Sequence, residues 1–155
     1  MRLQTTLIIL LACVSMFSCS WGAHSQLASE LRLAYERSQV ILMDARINHD
    51  STLLSEAFTQ NNINVIENAW EYENDSTFTA PEITVIWLKV VEYDPPEAIV
   101  EVKYFYRGYE YNRKTGTMVY LDEPQKYWRI VRDRMRFEDE KWKLDESLEL
   151  VDWSR

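Results

Sequence analysis

The two histidines are the first residues to weigh for chemistry. His24 and His49 lie far apart in the chain, and a catalytic zinc usually takes three protein ligands. His49 and Asp50 together could form a general base and the carboxylate that orients it. Side chains of neighbouring residues, however, point apart on most backbones. The position must also cap a helix, and we favour that interpretation. We therefore expect no metal site, no cofactor and no catalytic residue.

A row of arginines is the second candidate. Arg132, Arg134 and Arg136 alternate along one predicted strand and so share a face with Trp128 and Ile130. They could bind an acidic partner or anionic lipid headgroups. We favour the alternative, a solvated face, because four carboxylates lie in neighbouring segments where they could pair across strands: Glu101, Glu123, Asp145 and Glu149.

The strands that must position these residues are predicted by alternating hydrophobicity. Residues 98–107 alternate with Ala98, Val100, Val102, Tyr104 and Tyr106 on one face. A turn at 113–116 leads to a strand at 117–121, and two further strands at 127–137 and 142–151 flank a polar turn at 138–141.

Residues 82–93 are apolar on both faces, with Ile83, Val85, Trp87 and Val91 on one and Ile86, Leu88 and Val90 on the other, which is typical of a covered strand.

Helices are predicted before the sheet. Residues 25–46 carry apolar side chains at three- and four-residue spacing, and Ser25 is a candidate N-cap. Asp50 or Ser51 can cap a short second helix, and a third can start within the polar residues 59–62 and continue through residue 70. Residues 71–81 are polar enough for a loop. Helices followed by a four- to five-stranded antiparallel sheet indicate an α+β fold with helices packed on one face of a curved sheet.

The N-terminus indicates export. Arg2 precedes an apolar run of eight residues, 7–14, the pattern of a signal peptide, and this run is too short to span a bilayer. We assign residues 1–23 to the signal and residues 24–155 to one domain. Residues 16–19 resemble a lipobox, so the signal could end before a lipidated Cys19; the alternative is ordinary cleavage near residues 20–23. Either way the mature domain has no cysteine pair for a disulfide.

The charge distribution excludes one class of partner. The chain has 17 basic and 25 acidic residues, a net charge of −8. Residues 101–143 form a locally basic segment with 11 basic and 8 acidic residues. Non-specific nucleic-acid binding needs a net positive footprint, so we expect no nucleic-acid partner.

Two local patterns suggest a family. Residues 45–59 place the pair Leu53-Leu54 shortly before Phe58-Thr59, and the closing hairpin carries Tyr127-Trp128-Arg129 and then, after a turn without glycine, Lys141-Trp142-Lys143-Leu144. Together with the order of helices and strands, these resemble the nuclear-transport-factor-2-like (NTF2-like) superfamily, nearest to bacterial domains related to the intermembrane-space domain of plastid-division proteins. The resemblance covers about residues 27–151 and implies a cone-shaped α+β fold.

The resemblance also implies where a pocket and an interface would lie. Enzymes of this superfamily place a base and an oxyanion-stabilising group inside the cone, where Tyr104, Tyr106 and Tyr120 are candidate lining residues and Asp44 or Asp133 a candidate carboxylate. No motif of this chain matches such an enzyme. Sheets of the superfamily often pair as dimers, and the candidate interface here is Phe105, Trp128, Ile130, Arg132 and Arg134.

The sequence therefore predicts an exported module of the cell envelope, secreted or anchored to the membrane through a lipid on Cys19. We expect a non-enzymatic protein that binds an unknown protein partner or a second copy of itself. The alternative is a small-molecule-binding protein or isomerase-like enzyme that uses the cone as its pocket.

Overall fold

The computed structural model describes the backbone of residues 2–71, 76–120 and 127–154, and the side chains of residues 25–71, 76–79, 81–120 and 127–152. In chain order the elements are α1 (Arg2–Asn48), the 3-10 helix η1 (Ser51–Glu56), α2 (Gln60–Trp70), β1 (Thr77–Asp94), β2 (Glu97–Asn112), β3 (Thr117–Tyr120), β4 (Tyr127–Glu138) and β5 (Lys141–Ser154). Among the described residues, no helix has the length and apolar character needed to cross a membrane.

Helix α1 is longer than predicted. It begins at Arg2 and is continuous to Asn48, so Ser25 lies inside the helix and the prediction of an N-cap there was wrong. Residues 23–48 contain no proline or glycine, and nothing in their sequence interrupts the helical hydrogen bonds. Cys19 and the rest of the expected signal, residues 1–23, lie outside the described side chains.

The connection after α1 forms as its sequence indicates. His49 has a φ of 53° and follows the helix as a left-handed terminating residue, and the N–H of Asp50 donates to the carbonyl of Ala45 at 2.9 Å. The Asp50 side chain then accepts from the N–H of Thr52 at 3.0 Å, which confirms it as the N-cap of the next helix. That helix is a 3-10 helix of 6 residues.

The sheet has five antiparallel strands in the order β1-β2-β4-β5, and β3 pairs with the end of β2. Both β1 and β5 are edge strands. Near its start β5 is covered, because Leu144 donates to the carbonyl of Ala57 at 2.8 Å and accepts from the N–H of Thr59 at 3.1 Å. Helices on one face of a curved sheet confirm the predicted α+β class.

Two apolar cores lie between the helices and the inner face of the sheet, the face that α1 covers. The first joins Leu31 and Tyr35 of α1 to the predicted inward residues of β2 and to β4, with Val100, Val102 and Met135 fully buried. The second lies under η1 and α2 around Leu54, Phe58 and Trp70. The side chain of Leu144 contacts both cores. Burial of these apolar groups is the main force that holds the helices on the sheet.

Strand β1 corrects two predictions. It begins at Thr77, so residues 77–81 belong to a strand and not to the predicted loop. Its register with β2 shifts between Val85 and Trp87: Val85 pairs with Tyr104, and Trp87 pairs with Lys103. The extra residue is a β-bulge, which places Val85 and Trp87 on opposite faces instead of the same one. Leu88 and Val90 consequently join the inner core.

The closing turn forms without glycine. Asp139 and Glu140 both have positive φ, 51° and 62°, and connect β4 directly to β5. Two successive left-handed residues are the geometry of a tight hairpin turn that glycine or asparagine usually fills. Lys143 donates to Asp139 at 2.7 Å, which holds the first of the two residues in place.

Candidate interaction surface and packed interior

The register of β1, β2 and β4 brings an aromatic patch together on the outer face, the face away from α1. Phe105 pairs directly with Trp128, and Lys103 lies between its cross-strand partners Trp87 and Ile130. We define these five residues as the aromatic patch. Phe105 is 38% exposed, and the other four are partly buried. Three of the predicted interface residues, Phe105, Trp128 and Ile130, therefore lie side by side.

Lysine side chains cover the rings of this patch. The Lys103 ammonium lies 4.1 Å from the centroid of the Trp128 ring, and the Lys89 ammonium lies 5.4 Å from that of Trp87. A cation over an indole is attracted by the negative face of the ring. The patch thus combines apolar area with positive charge, and its aromatic side chains are of a kind enriched at protein interfaces.

An ion-pair ladder continues the outer face beyond the patch. Arg132 bonds Glu101 at 3.1 Å and also Glu149, while Arg134 bonds Glu146 at 3.0 Å. Arg136 bonds Glu97 at 2.7 Å and lies 3.7 Å from the buried Asp145. Three of the four carboxylates considered as partners of the arginines are therefore in place, and Glu123 lies outside the described residues.

Glu101 is the centre of this ladder. Its carboxylate is 2.5 Å from the Lys89 ammonium and also accepts from Arg132. These two hydrogen bonds, the one from Lys89 first, hold the pKa of Glu101 below its usual range. Arg132, Arg134 and Arg136 are consequently members of neutralised pairs, and the ladder has a fixed pattern of charge more than a net positive field.

The inner face carries two of the three predicted pocket tyrosines. Tyr104 is buried in the first core, and Tyr106 packs against it with the Arg129 guanidinium 4.7 Å from its ring centroid. Tyr120 lies elsewhere, with Tyr109 in a small cluster around Phe78, and its hydroxyl donates to Glu82 at 3.2 Å. The three tyrosines do not line one space.

A buried tyrosine–aspartate pair joins α1 to β4. The Tyr35 hydroxyl donates to Asp133 Oδ2 at 2.8 Å, and the two residues are each 3% exposed. Burial raises the pKa of Asp133, and hydrogen bonds from Ser147 and Tyr35 oppose that rise. Burial, together with the nearby Asp133, raises the pKa of Tyr35 well above its usual range. Sequence reasoning included Asp133 but missed Tyr35, although Tyr35 stands four residues after the buried Leu31 on the same helix face.

The other candidates hold structural positions. The His49 ring stacks on Trp70 with centroids 6.3 Å apart. Asp44 is exposed on α1 and its carbonyl accepts from Asn48 at 2.9 Å. Within the part of the chain that the structure describes, no cluster of three or more histidine, cysteine or acidic residues could hold a metal ion.

Comparison with known proteins supports the fold. No family model matches the chain, and no curated protein matches it. The intermembrane space region of the chloroplast protein ARC6 has a TM-score of 0.56 at 16% identity and covers 81% of this chain and 97% of its own. A ketosteroid isomerase-like protein from Erwinia carotovora atroseptica has a TM-score of 0.38 at 14% identity, covering 70% and 86%. Such low identity bears on architecture alone. The chain shares its α+β architecture, helices on one face of a curved antiparallel sheet, with the ARC6 region, and this is the fold class that its sequence pattern predicts.

Proposed function

We propose that this chain is an exported, membrane-tethered, non-enzymatic module of the cell envelope that binds a protein partner, or a second copy of itself, through the outer face of its sheet. The observation that carries the proposal is the aromatic patch beside the ion-pair ladder. Aromatic side chains and arginines dominate binding energy at interfaces, and fixed charges set the orientation of a partner. The ARC6 neighbour, whose described region faces an intermembrane space, supports a place in the envelope.

Site-specific photo-cross-linking tests the surface. The photoreactive amino acid p-benzoylphenylalanine replaces Phe105 in the full chain, expressed in the native host, and the matched control replaces Val65, which is 63% exposed on α2. We expect a discrete cross-linked band, of partner or homodimer mass, from position 105 and none from position 65. Equal cross-linking from both positions, or none from 105, contradicts the proposal.

Mass spectrometry of the protein from host membrane and soluble fractions tests the anchor. The proposal requires a mature mass that begins at an acylated Cys19 in the membrane fraction, since several acyl chains on one cysteine hold a protein firmly. A soluble, unmodified protein cleaved near residues 20–23 would refute the anchor and leave the outer-face interaction standing.

A small-molecule-binding or isomerase-like function is the second candidate, and the buried Tyr35–Asp133 pair favours it. A carboxyl group with a raised pKa beside a phenol is a combination that catalytic sites use. Native mass spectrometry distinguishes this candidate: a stoichiometric small ligand retained by the native protein, and lost in a folded Asp133→Asn variant, would favour a pocket over an interaction surface.

A further inference from the structure

A groove of about 610 Å³ lies between α1 and the first half of β1. The buried or half-buried side chains of Met43, Ile83, Val85 and Tyr109 form its floor. Val40 and Met118, which are 60% and 47% exposed, stand on its borders. Exposed aliphatic side chains beside a concave apolar floor are typical of a surface that a second polypeptide covers.

One wall of the groove is the free edge of a strand. Among the strands that the structure describes, β1 ends the sheet order and pairs with β2 alone. Arg32 of α1 donates to the carbonyl of Val85 at 3.2 Å, so this carbonyl points away from β2. The register of residues 77–85 is unbroken, and backbone groups of alternate residues point to the same side. Ile83 therefore also directs its N–H and C=O into the groove.

The charge of the groove selects the class of occupant. Three carboxylates, of Glu36, Asp44 and Glu82, line it with the single cation Arg32, a net charge of −2. Arg32 is already paired with Glu36 at 2.9 Å, which leaves Asp44 and Glu82 to attract a cationic ligand. A second copy of this chain would bring a second acidic groove against the first, and like charges placed opposite one another repel.

We propose that this groove binds an extended, cationic segment of another protein, which adds to β1 as an antiparallel or parallel strand. Backbone hydrogen bonds at Ile83 and Val85 provide affinity, and lysine or arginine side chains directed at Asp44 and Glu82 provide selectivity. The site is separate from the aromatic patch and needs no membrane anchor. Cross-linking at position 105 therefore tests the outer face, whereas the peptide experiment below tests the groove.

Fluorescence anisotropy with two labelled octapeptides tests the charge preference. One peptide alternates lysine and valine, and the other alternates glutamate and valine. We expect saturable binding of the lysine peptide only. The double variant Asp44→Lys with Glu82→Lys should weaken it about tenfold or more and admit the glutamate peptide. The control pair Glu67→Lys with Glu71→Lys makes the same charge change on and beside α2, which packs on β5 and η1, and should bind the lysine peptide as the parent does.

Amide hydrogen exchange followed by NMR tests the backbone contact. The lysine peptide should slow exchange at Ile83 and Val85, and a lysine peptide N-methylated at alternate residues should not bind. Equal weakening by both double variants, no binding of either peptide, or protection confined to the aromatic patch would each overturn the proposal. Sedimentation velocity provides a further check, because self-association lost in the Asp44→Lys, Glu82→Lys variant would show that a second copy occupies the edge instead.

Discussion

At the scale of single residues, two buried carboxylates, those of Asp133 and Asp145, each accept a hydrogen bond from a hydroxyl group. Asp133 would carry a large desolvation cost alone, and the Tyr35 hydroxyl offsets part of it across the boundary between helix and sheet. Thr59 does the same for the buried Asp145, to which its hydroxyl donates at 2.6 Å. Charged residues on the outer face are instead neutralised near water, where each pair contributes little to stability.

The raised pKa of Asp133 predicts a pH dependence of stability. Above the ordinary aspartate value of 3.8 the folded protein keeps a proton that the unfolded chain releases, so this group's contribution to stability falls as pH rises toward the raised pKa. The Asp133→Asn variant has no carboxyl group at this position, so its stability does not fall with pH for this reason. The free energy of unfolding of the variant relative to the parent should therefore increase with pH, by about 1.4 kcal/mol for each unit by which folding raises the pKa.

Urea unfolding at about pH 3 and about pH 8 measures this difference, because the loss begins only above the ordinary aspartate value of 3.8. Asp94→Asn, which removes the same charge from the exposed last residue of β1, is the control. A stability difference between Asp133→Asn and the parent that is flat or falls with pH would show that the Tyr35–Asp133 pair is not desolvated as described.

At the scale of elements, hydrophobic alternation predicted the strands and their inward faces because each side chain of β2 and β4 has a fixed partner across the sheet. Val100, Val102 and Met135 are buried as that pattern requires. Alternation could not locate the bulge after Val85, since a strand apolar on both faces has the same pattern in either register. Nor could it identify Tyr35, whose role depends on Asp133, 98 positions away in the chain.

The glycine-free turn between β4 and β5 predicts a stabilising substitution. Glu140 has a φ of 62°, a conformation that costs an L-residue about 1–2 kcal/mol and glycine almost nothing. Glycine also has more conformational freedom in the unfolded chain, which lowers the free energy of unfolding by about 0.4–1 kcal/mol. Glu140→Gly should therefore raise the free energy of unfolding by about 0.5–1 kcal/mol, measured by urea denaturation. The control Lys141→Gly, at the first residue of β5, should lower it.

At the scale of the whole molecule, the two apolar cores are linked through one strand. Leu144 contacts both cores, and its backbone bonds to Ala57 and Thr59 connect the η1–α2 segment to β5. Because each core shares this residue, neither should unfold without disturbing the other. The aromatic patch and the acidic groove both use β1, the patch through Trp87 and the groove through Ile83 and Val85, but they have no residue in common.

The shared contact predicts cooperative unfolding. In the parent, tryptophan fluorescence and far-UV circular dichroism should follow one coincident urea transition. Leu144→Ala should destabilise the protein by about 1–3 kcal/mol, less than a fully buried leucine would, because Leu144 is half-buried. Leu150→Ala, at a residue 54% exposed on the same strand, should change stability by less than about 0.5 kcal/mol. Non-coincident transitions in the parent would mean that the cores are independent.

The bulge after Val85 makes the outer face depend on strand register as well as on side-chain identity. If Ile86 paired as a regular strand residue opposite Lys103, Trp87 would stand opposite Val102 and turn toward the helices, while Leu88 would turn toward solvent. The amino acids of the aromatic patch would all still be present, yet Lys103 would have lost one of its two flanking partners. The register of this one strand therefore decides whether the aromatic patch is complete, even when every side chain in it is unchanged.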